Sequence, residues 1–268
     1  MMLLAGALSL GSCDSEEGFQ EEEFHATGTG VFILNEGNYQ AGNSTLSYYD
    51  PSKKTVENGV FSRANDRKLG DTGQSVILRG TDAFIAVENS GIIWKIDATT
   101  FKVRGQLDSK STGGKMINPR YIHFISDTKA YATDLYAPYI TVFNPQTMEY
   151  IKSIPTGQEV VEQYASTEEM VQYGKYVFTN CWSYSNKILV INAEKDVVEG
   201  EITLPSMQPK SMKLDKNGKI WVITDGGYQG SEYGDDYPHL YKIDANSRQI
   251  EQEQVLDMDE ANVQIALN

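Results

Sequence analysis

The sequence predicts an all-β fold, a β-propeller of about five four-stranded blades. Three observations carry that expectation. One pattern of strand, turn and returning strand recurs about every 47 residues. Each period has room for four short strands, the content of a propeller blade. No segment shows the 3.6-residue apolar rhythm that helical repeats require.

The recurring pattern is read most clearly in five segments, LSYYDPSKKTV, IWKIDATTFKV, ITVFNPQTMEY, ILVINAEKDVV and LYKIDANSRQI. Each has Asp or Asn at its fifth place: Asp50, Asp97, Asn144, Asn192 and Asp244, spaced by 47, 47, 48 and 52 residues. Leu46, Ile93, Ile140, Ile188 and Leu240 stand four places before this mark, and Val56, Val103, Tyr150, Val198 and Ile250 six places after it. A short carboxylate or amide can accept hydrogen bonds from backbone N–H groups two residues on, so Asp and Asn suit a turn between two strands. The marks are expected to be structural.

Upstream of each mark lies a second β-rich run, VFILNEGN, AFIAVENSG, AYATDLYAP, YVFTNCWSY and IWVITDGGY. A further strand precedes four of these, in QSVILRG, RYIHFIS, EEMVQYG and SMKLDKNG, the last with the hairpin dipeptide Asn217-Gly218. The blades are placed at about 28–66, 72–112, 116–158, 165–207 and 208–257. The segment 260–268, in ANVQIALN, reads as the first strand of a sixth blade. A propeller stopping there would leave strand edges open, so the sequence is expected to be a fragment of a chain with six to eight blades, seven in the complete form.

The first residues follow another logic. An uncharged apolar run from Met1 is too short to span a bilayer and ends in Leu10-Gly11-Ser12-Cys13. That pattern predicts a signal peptide over 1–12 and a lipidated cysteine at Cys13, although no Lys or Arg precedes Lys53. Six acids follow between Asp14 and Glu23, giving a solvated tether over 13–27. Acidic residues placed just after such a cysteine resemble a surface-export signal, so the expected location is the outer membrane, lipid-anchored and facing out.

Composition narrows the functions. A net charge of −14 and a pI near 4.7 argue against phosphate-backbone recognition, so no nucleic-acid partner is expected. If Cys13 is lipidated, Cys181 has no disulfide partner, and its setting in VFTNCW fits a buried apolar role. There are three histidines, His25, His123 and His239, and no nucleophile-elbow, zinc-protease, P-loop or dinucleotide motif. No catalytic residue and no metal site is therefore assigned; the acidic run from Ser231 to His239 could ligate calcium but reads better as a solvated loop.

The binding candidates come from the ends of the second-run strands. Equivalent positions in successive blades emerge on one rim, which places Asn35, Asn89, Asp134, Asn180 and Asp225 on a single face. Tyr39, Tyr136, Trp182, Tyr184 and Tyr228 lie beside them in the loops. Singly, each ring would most simply pack on a neighbouring blade. Together, five polar-aromatic loops suit a large amide-rich ligand or a carbohydrate.

The stretches FILNEGN, NSTLSYYDP, LGDTGQS, PRYIHF, KAYATDLY, EEMVQYGKYVFTNCWSY and ITDGGYQGS resemble the YncE-like surface lipoproteins of Bacteroidetes, the group that includes the BtuG-type cobalamin-binding proteins. The resemblance runs from about Gly28 to the end. It implies a seven-bladed, surface-tethered propeller that captures cobalamin or a related corrinoid and passes it to a TonB-dependent outer-membrane transporter, with no intrinsic cofactor and no catalysis. Two other readings stand beside it: a module for surface glycan or a partner protein, and a propeller enzyme such as a lyase or quinone-dependent dehydrogenase.

Overall fold

The computed structural model describes residues 24–162, 164–227, 230, 236–257 and 265–266. Among the described residues nineteen strands form five antiparallel sheets, each a meander in sequence order. The first sheet holds β1 (Val31–Asn35), β2 (Thr45–Asp50) and β3 (Thr55–Glu57). The second holds β4 (Gly73–Arg79), β5 (Asp82–Val87), β6 (Ile92–Asp97) and β7 (Val103–Asp108). The third holds β8 (Pro119–Phe124), β9 (Ala130–Asp134), β10 (Tyr139–Asn144) and β11 (Glu149–Pro155). The fourth holds β12 (Met170–Tyr173), β13 (Tyr176–Asn180), β14 (Lys187–Asn192) and β15 (Val197–Thr203). The fifth holds β16 (Pro209–Leu214), β17 (Lys219–Thr224), β18 (His239–Asp244) and β19 (Ile250–Val255). The fold is the expected β-propeller, and each sheet is a blade.

The marked residues close their turns as the sequence requires. Asp97 Oδ1 accepts from the backbone N–H groups of Thr99 and Thr100, both at 2.7 Å. Both bonds recur at Asp50, Asn192 and Asp244, and the first of them at Asn144. Four residues after each mark the backbone turns left-handed, at Lys54, Phe101, Met148, Asp196 and Arg248, with φ between 54° and 62°. In the last four turns the N–H of that residue bonds back to the carbonyl of the mark. None of the five is glycine, so the turn holds a side chain where L-residues are disfavoured.

The core lies between blades. Leu46 and Tyr48 of the first blade meet Ile85, Trp94 and Ile96 of the second. Phe84 and Ile93 meet Ile122 and Phe143, Tyr131 and Val142 meet Val177 and Ile191, and Phe178 and Val190 meet Met212, Val222 and Tyr241. Burying these faces removes apolar surface from water at roughly 25 cal/mol per Å², so each blade is stabilised mainly by its neighbours. First strands of the later blades pack in sequence, β4 with β8, β8 with β12 and β12 with β16, and so line the axis.

The first blade departs from the expected plan. It has three strands among the described residues, followed by a six-residue helix, α1 (Val60–Asn65), that buries Val60 and Phe61. Asn65 ties α1 to the second blade, donating to Phe101 O and accepting from Val103 N. Upstream of β1, Phe24 stacks on Phe101 and Ala26 N bonds to Thr99 O, away from the inner edge of β1. Val31 and Ile33 are accordingly 53% and 38% exposed, while the matching Ala83 and Ile85 of the second blade are fully buried. Of the expected sixth-blade segment, only 265–266 are described. Ile265 N donates to Ser211 Oγ of β16 at 3.3 Å.

Candidate functional site

First strands begin, and second strands end, at one end of the blades: Pro119 pairs with Asp134, Met170 with Thr179 and Pro209 with Thr224. The expected rim residues are at that end, in two groups. Asn35, Asn89, Asp134 and Asn180 hold backbone or neighbouring side chains. Asn35 Nδ2 donates to Thr45 Oγ1 and Ser47 Oγ, and Asn89 Nδ2 donates to Asp71 Oδ2. Asp134 is buried and accepts from the N–H groups of Ile117, Asn118, Tyr136 and Ala137 at 2.7–3.0 Å. Burial pushes its carboxyl above the ordinary aspartate value against the pull of those donors. Asn180 is fully buried and donates to Pro209 O at 2.6 Å. Asp134 and Asn180 thus shape the loops from inside, while Asn35 remains exposed and Asn89 half-buried.

The aromatics form the second group. Tyr136, Tyr164 and Tyr184 make a contiguous row across the third and fourth blades, with ring centroids 5.2 and 5.5 Å apart and tilted planes. All three are half-buried, and Tyr184 holds a left-handed backbone at φ 56°. Such strain in a non-glycine loop residue is retained where surrounding structure imposes it. Tyr39, 60% exposed, is near enough to Tyr136 to help raise its phenol, although burial is the larger cause. Trp182 Nε1 donates to Asp225 Oδ2 at 3.0 Å, and Lys210 Nζ sits 5.2 Å from its ring centroid. Burial raises the Asp225 carboxyl. Tyr228, like Cys13, lies outside the described residues.

Nearer the axis is a polar cluster that the sequence reading did not select. Arg120 at the start of β8 donates through Nε to both oxygens of Glu168, at 3.1 and 3.0 Å. Its Nη1 reaches Gln74 Oε1 at 2.8 Å and Glu88 Oε2. One guanidinium thus joins the second, third and fourth blades. Glu88 and Glu168 are almost fully buried. Burial lifts the Glu168 carboxyl above its ordinary value, opposed by Arg120 and assisted by the nearby Glu88 and Glu169. Tyr121, half-buried beside Glu168, is pushed up to about 12 by desolvation and by that carboxylate. A cavity of about 90 Å³ opens here, lined by Arg120, Tyr121, Glu168, Glu169, Trp182, Lys210 and Ser211.

A signal for this cluster was present in the sequence. Gln74, Arg120 and Lys210 occupy the same second place of their first strands, in GQS, PRY and PKS. Tyr164 had no such signal, because it sits in a long connection between β11 and β12 with no counterpart in other blades. The arrangement is suited to binding: aromatic faces, fixed amides and paired charges. Among the described residues, no group of three or more His, Cys, Asp or Glu is placed to hold a metal ion. His123 bonds Gln172 and His239 bonds Glu253, each away from the cavity lining.

The chain belongs to the family described as Domain of unknown function (DUF5074), whose model matches residues 29–266. Among solved structures it is similar to Saccharomyces cerevisiae Sqt1, at 11% identity over 80% of this chain and 57% of that one, with a TM-score of 0.61. It is also similar to the computationally designed Ika8 protein, at 9% identity over 88% and 65% of the two chains, with a TM-score of 0.57. Hydrazine synthase of Kuenenia stuttgartiensis is 19% identical over 66% of this chain and 46% of that one, with a TM-score of 0.54. The chain spans less than two thirds of each of these structures, and identities this low show the fold alone. No protein with a curated description matches the sequence.

Proposed function

We propose that this member of the family is a non-catalytic capture protein whose rim binds cobalamin or a related corrinoid and passes it to a TonB-dependent outer-membrane transporter. Lipidation at Cys13 would hold it on the outer membrane, facing outward. The observation that carries the reading is the row Tyr136–Tyr164–Tyr184 beside Trp182 and the axial cavity, all at one end of the blades. Tyrosine and tryptophan offer rigid apolar area with a hydrogen-bonding edge, and a corrinoid offers a broad ring fringed by amides. Binding and release need no bond-making group, which accords with a site whose carboxylates are engaged in holding blades together.

Cyanocobalamin titrated into the protein by calorimetry tests this directly. The expected result is saturable heat, with affinity at least about tenfold weaker in Trp182→Ala and in Tyr136→Ala, or about 1.4 kcal/mol. Absence of heat from protein shown to be folded would overturn the corrinoid reading and direct the search to surface glycans on the same rim.

A further inference from the structure

We infer that the axial cavity is a subsite for a neutral carbonyl oxygen, the amide arm of a ligand lying on the rim. The inference rests on this face being a binding surface and on the balance of hydrogen-bond donors and acceptors around the cavity.

Most of the acceptors are already engaged; in the lining, Glu169 Oε1 alone among the carboxylate oxygens holds no hydrogen bond among the described residues. Both oxygens of Glu168 receive Arg120 Nε, and Glu88 Oε2 receives Arg120 Nη1. Glu169 Oε2 receives Ser211 Oγ at 3.1 Å, Met212 N at 2.7 Å and Lys213 Nζ at 2.5 Å. The donors are not. Among the described residues, Arg120 Nη2 and Lys210 Nζ hold no hydrogen bond, and the ammonium of Lys210 rests on the Trp182 ring alone. The Tyr121 oxygen accepts from Gln74 Nε2 at 3.4 Å, which leaves its own hydrogen to give. A group entering the cavity is therefore met by three donors against one open carboxylate oxygen, and it gains most by bringing an acceptor, as a carboxamide does while its N–H groups can face Glu169 Oε1.

Charge decides which acceptor. The lining carries two cations, Arg120 and Lys210, and two carboxylates, Glu168 and Glu169, with the Asp225 carboxylate bonded to Trp182 beside them. An anion gains attraction from the first pair and loses it to the second and to Asp225. A carbonyl dipole takes the open donors without that repulsion. The cavity of about 90 Å³ admits a group of a few heavy atoms, well below the roughly 300 Å³ of a site that encloses a whole ligand. An acetamide-sized arm fits those limits.

The test uses the protein labelled with ¹⁵N at tryptophan, whose indole N–H of Trp182 reports from the cavity wall, while Trp94 and Trp221 report that the fold is intact. Acetamide, acetate and methylammonium are the probes. The expected result is a saturable shift of the Trp182 resonance by acetamide, a weaker response to acetate and none to methylammonium. In Lys210→Met the acetamide response should be about tenfold weaker, the loss of a hydrogen bond from a charged donor, with the Trp94 and Trp221 resonances unmoved. A stronger response to acetate or methylammonium, no saturable response to acetamide, or an unchanged response in Lys210→Met would overturn the inference. Cyanocobalamin added to the same sample separates it from the proposed function. If acetamide binds and cyanocobalamin does not, the corrinoid reading fails and the subsite stands.

Discussion

The peripheral turns and the axial cluster both rest on carboxylates and amides, repeated once per blade in the turns and gathered around the single guanidinium of Arg120 at the axis, and they differ in reach. In the turns each acceptor is satisfied by N–H groups two or three residues ahead. At the axis, Arg120 finds Gln74, Glu88 and Glu168 at separations of 46, 32 and 48 residues, each in another blade. The short-range bonds favour the ionised form; at Asp244 the Lys219 ammonium on the neighbouring strand pulls hardest and the Ser247 bonds add to it, and together they hold the carboxyl well below the ordinary carboxylate range. At Asp97, burial pushes upward but the N–H groups of Thr100 and Thr99 prevail. At the axis burial prevails instead, and Glu168 and Asp225 are raised. Local closure is nearly complete, Asp50 Oδ2 being the one oxygen of the marks buried without a partner among the described residues, whereas closure between blades leaves donors facing a cavity.

The largest expected effect comes from breaking the axial junction. Arg120→Met strands Glu88 and Glu168 without a counter-charge in a buried site, a change that costs about 3–5 kcal/mol. Urea unfolding would measure it; a loss below 1 kcal/mol would mean that the cluster does not join the blades. A turn is cheaper to damage. Asn144→Ala removes one local acceptor and should cost about 1 kcal/mol in the same assay, while Asn144→Asp keeps the acceptor and should be nearly neutral.

Titration sharpens the contrast in sign. Asp97 and Asp244, lowered in the folded state, contribute stability that is complete above the ordinary value of 3.8 and lost as pH falls through their folded values. Asp225, raised by burial, contributes in the opposite sense: its stability is present below 3.8 and lost as pH rises through its folded value. Carboxyl ¹³C spectra should place Asp244 below 3.8 and Asp225 above it, and the reverse order would contradict the division between the two regions. The smallest effect is expected at Lys54, exposed and left-handed at φ 56°. Lys54→Gly relieves that conformation but frees the unfolded chain, leaving a net gain of about 0.5 kcal/mol by thermal unfolding.

What was legible in the sequence follows the same division. The marks at Asp50, Asp97, Asn144, Asn192 and Asp244 were readable because the residue and the N–H groups it satisfies are neighbours in the chain. Blade count and strand order followed, since alternating strands bury their faces in the period that the turns set. The left-handed residue four places later was invisible, because Lys, Phe, Met, Asp and Arg share no side-chain signature. Helix α1 was also missed; six residues are too few to show a period. At the rim, Trp182 and Asp225, both expected on one face, are joined by a hydrogen bond, but Asp134 and Asn180 turn inward to hold backbone. Arg120 and Glu168 stayed hidden because their meaning depends on how far adjacent blades are rotated, which no local window contains.

The central claim is that ligand meets the inter-blade end of the molecule and not the peripheral turns. Hydrogen exchange with and without cyanocobalamin tests it most directly. The account predicts added protection over 133–139, 164–169 and 180–186, with the turns after Asp97, Asn144, Asn192 and Asp244 unchanged. Protection centred on those turns, or spread evenly over all blades, would contradict it.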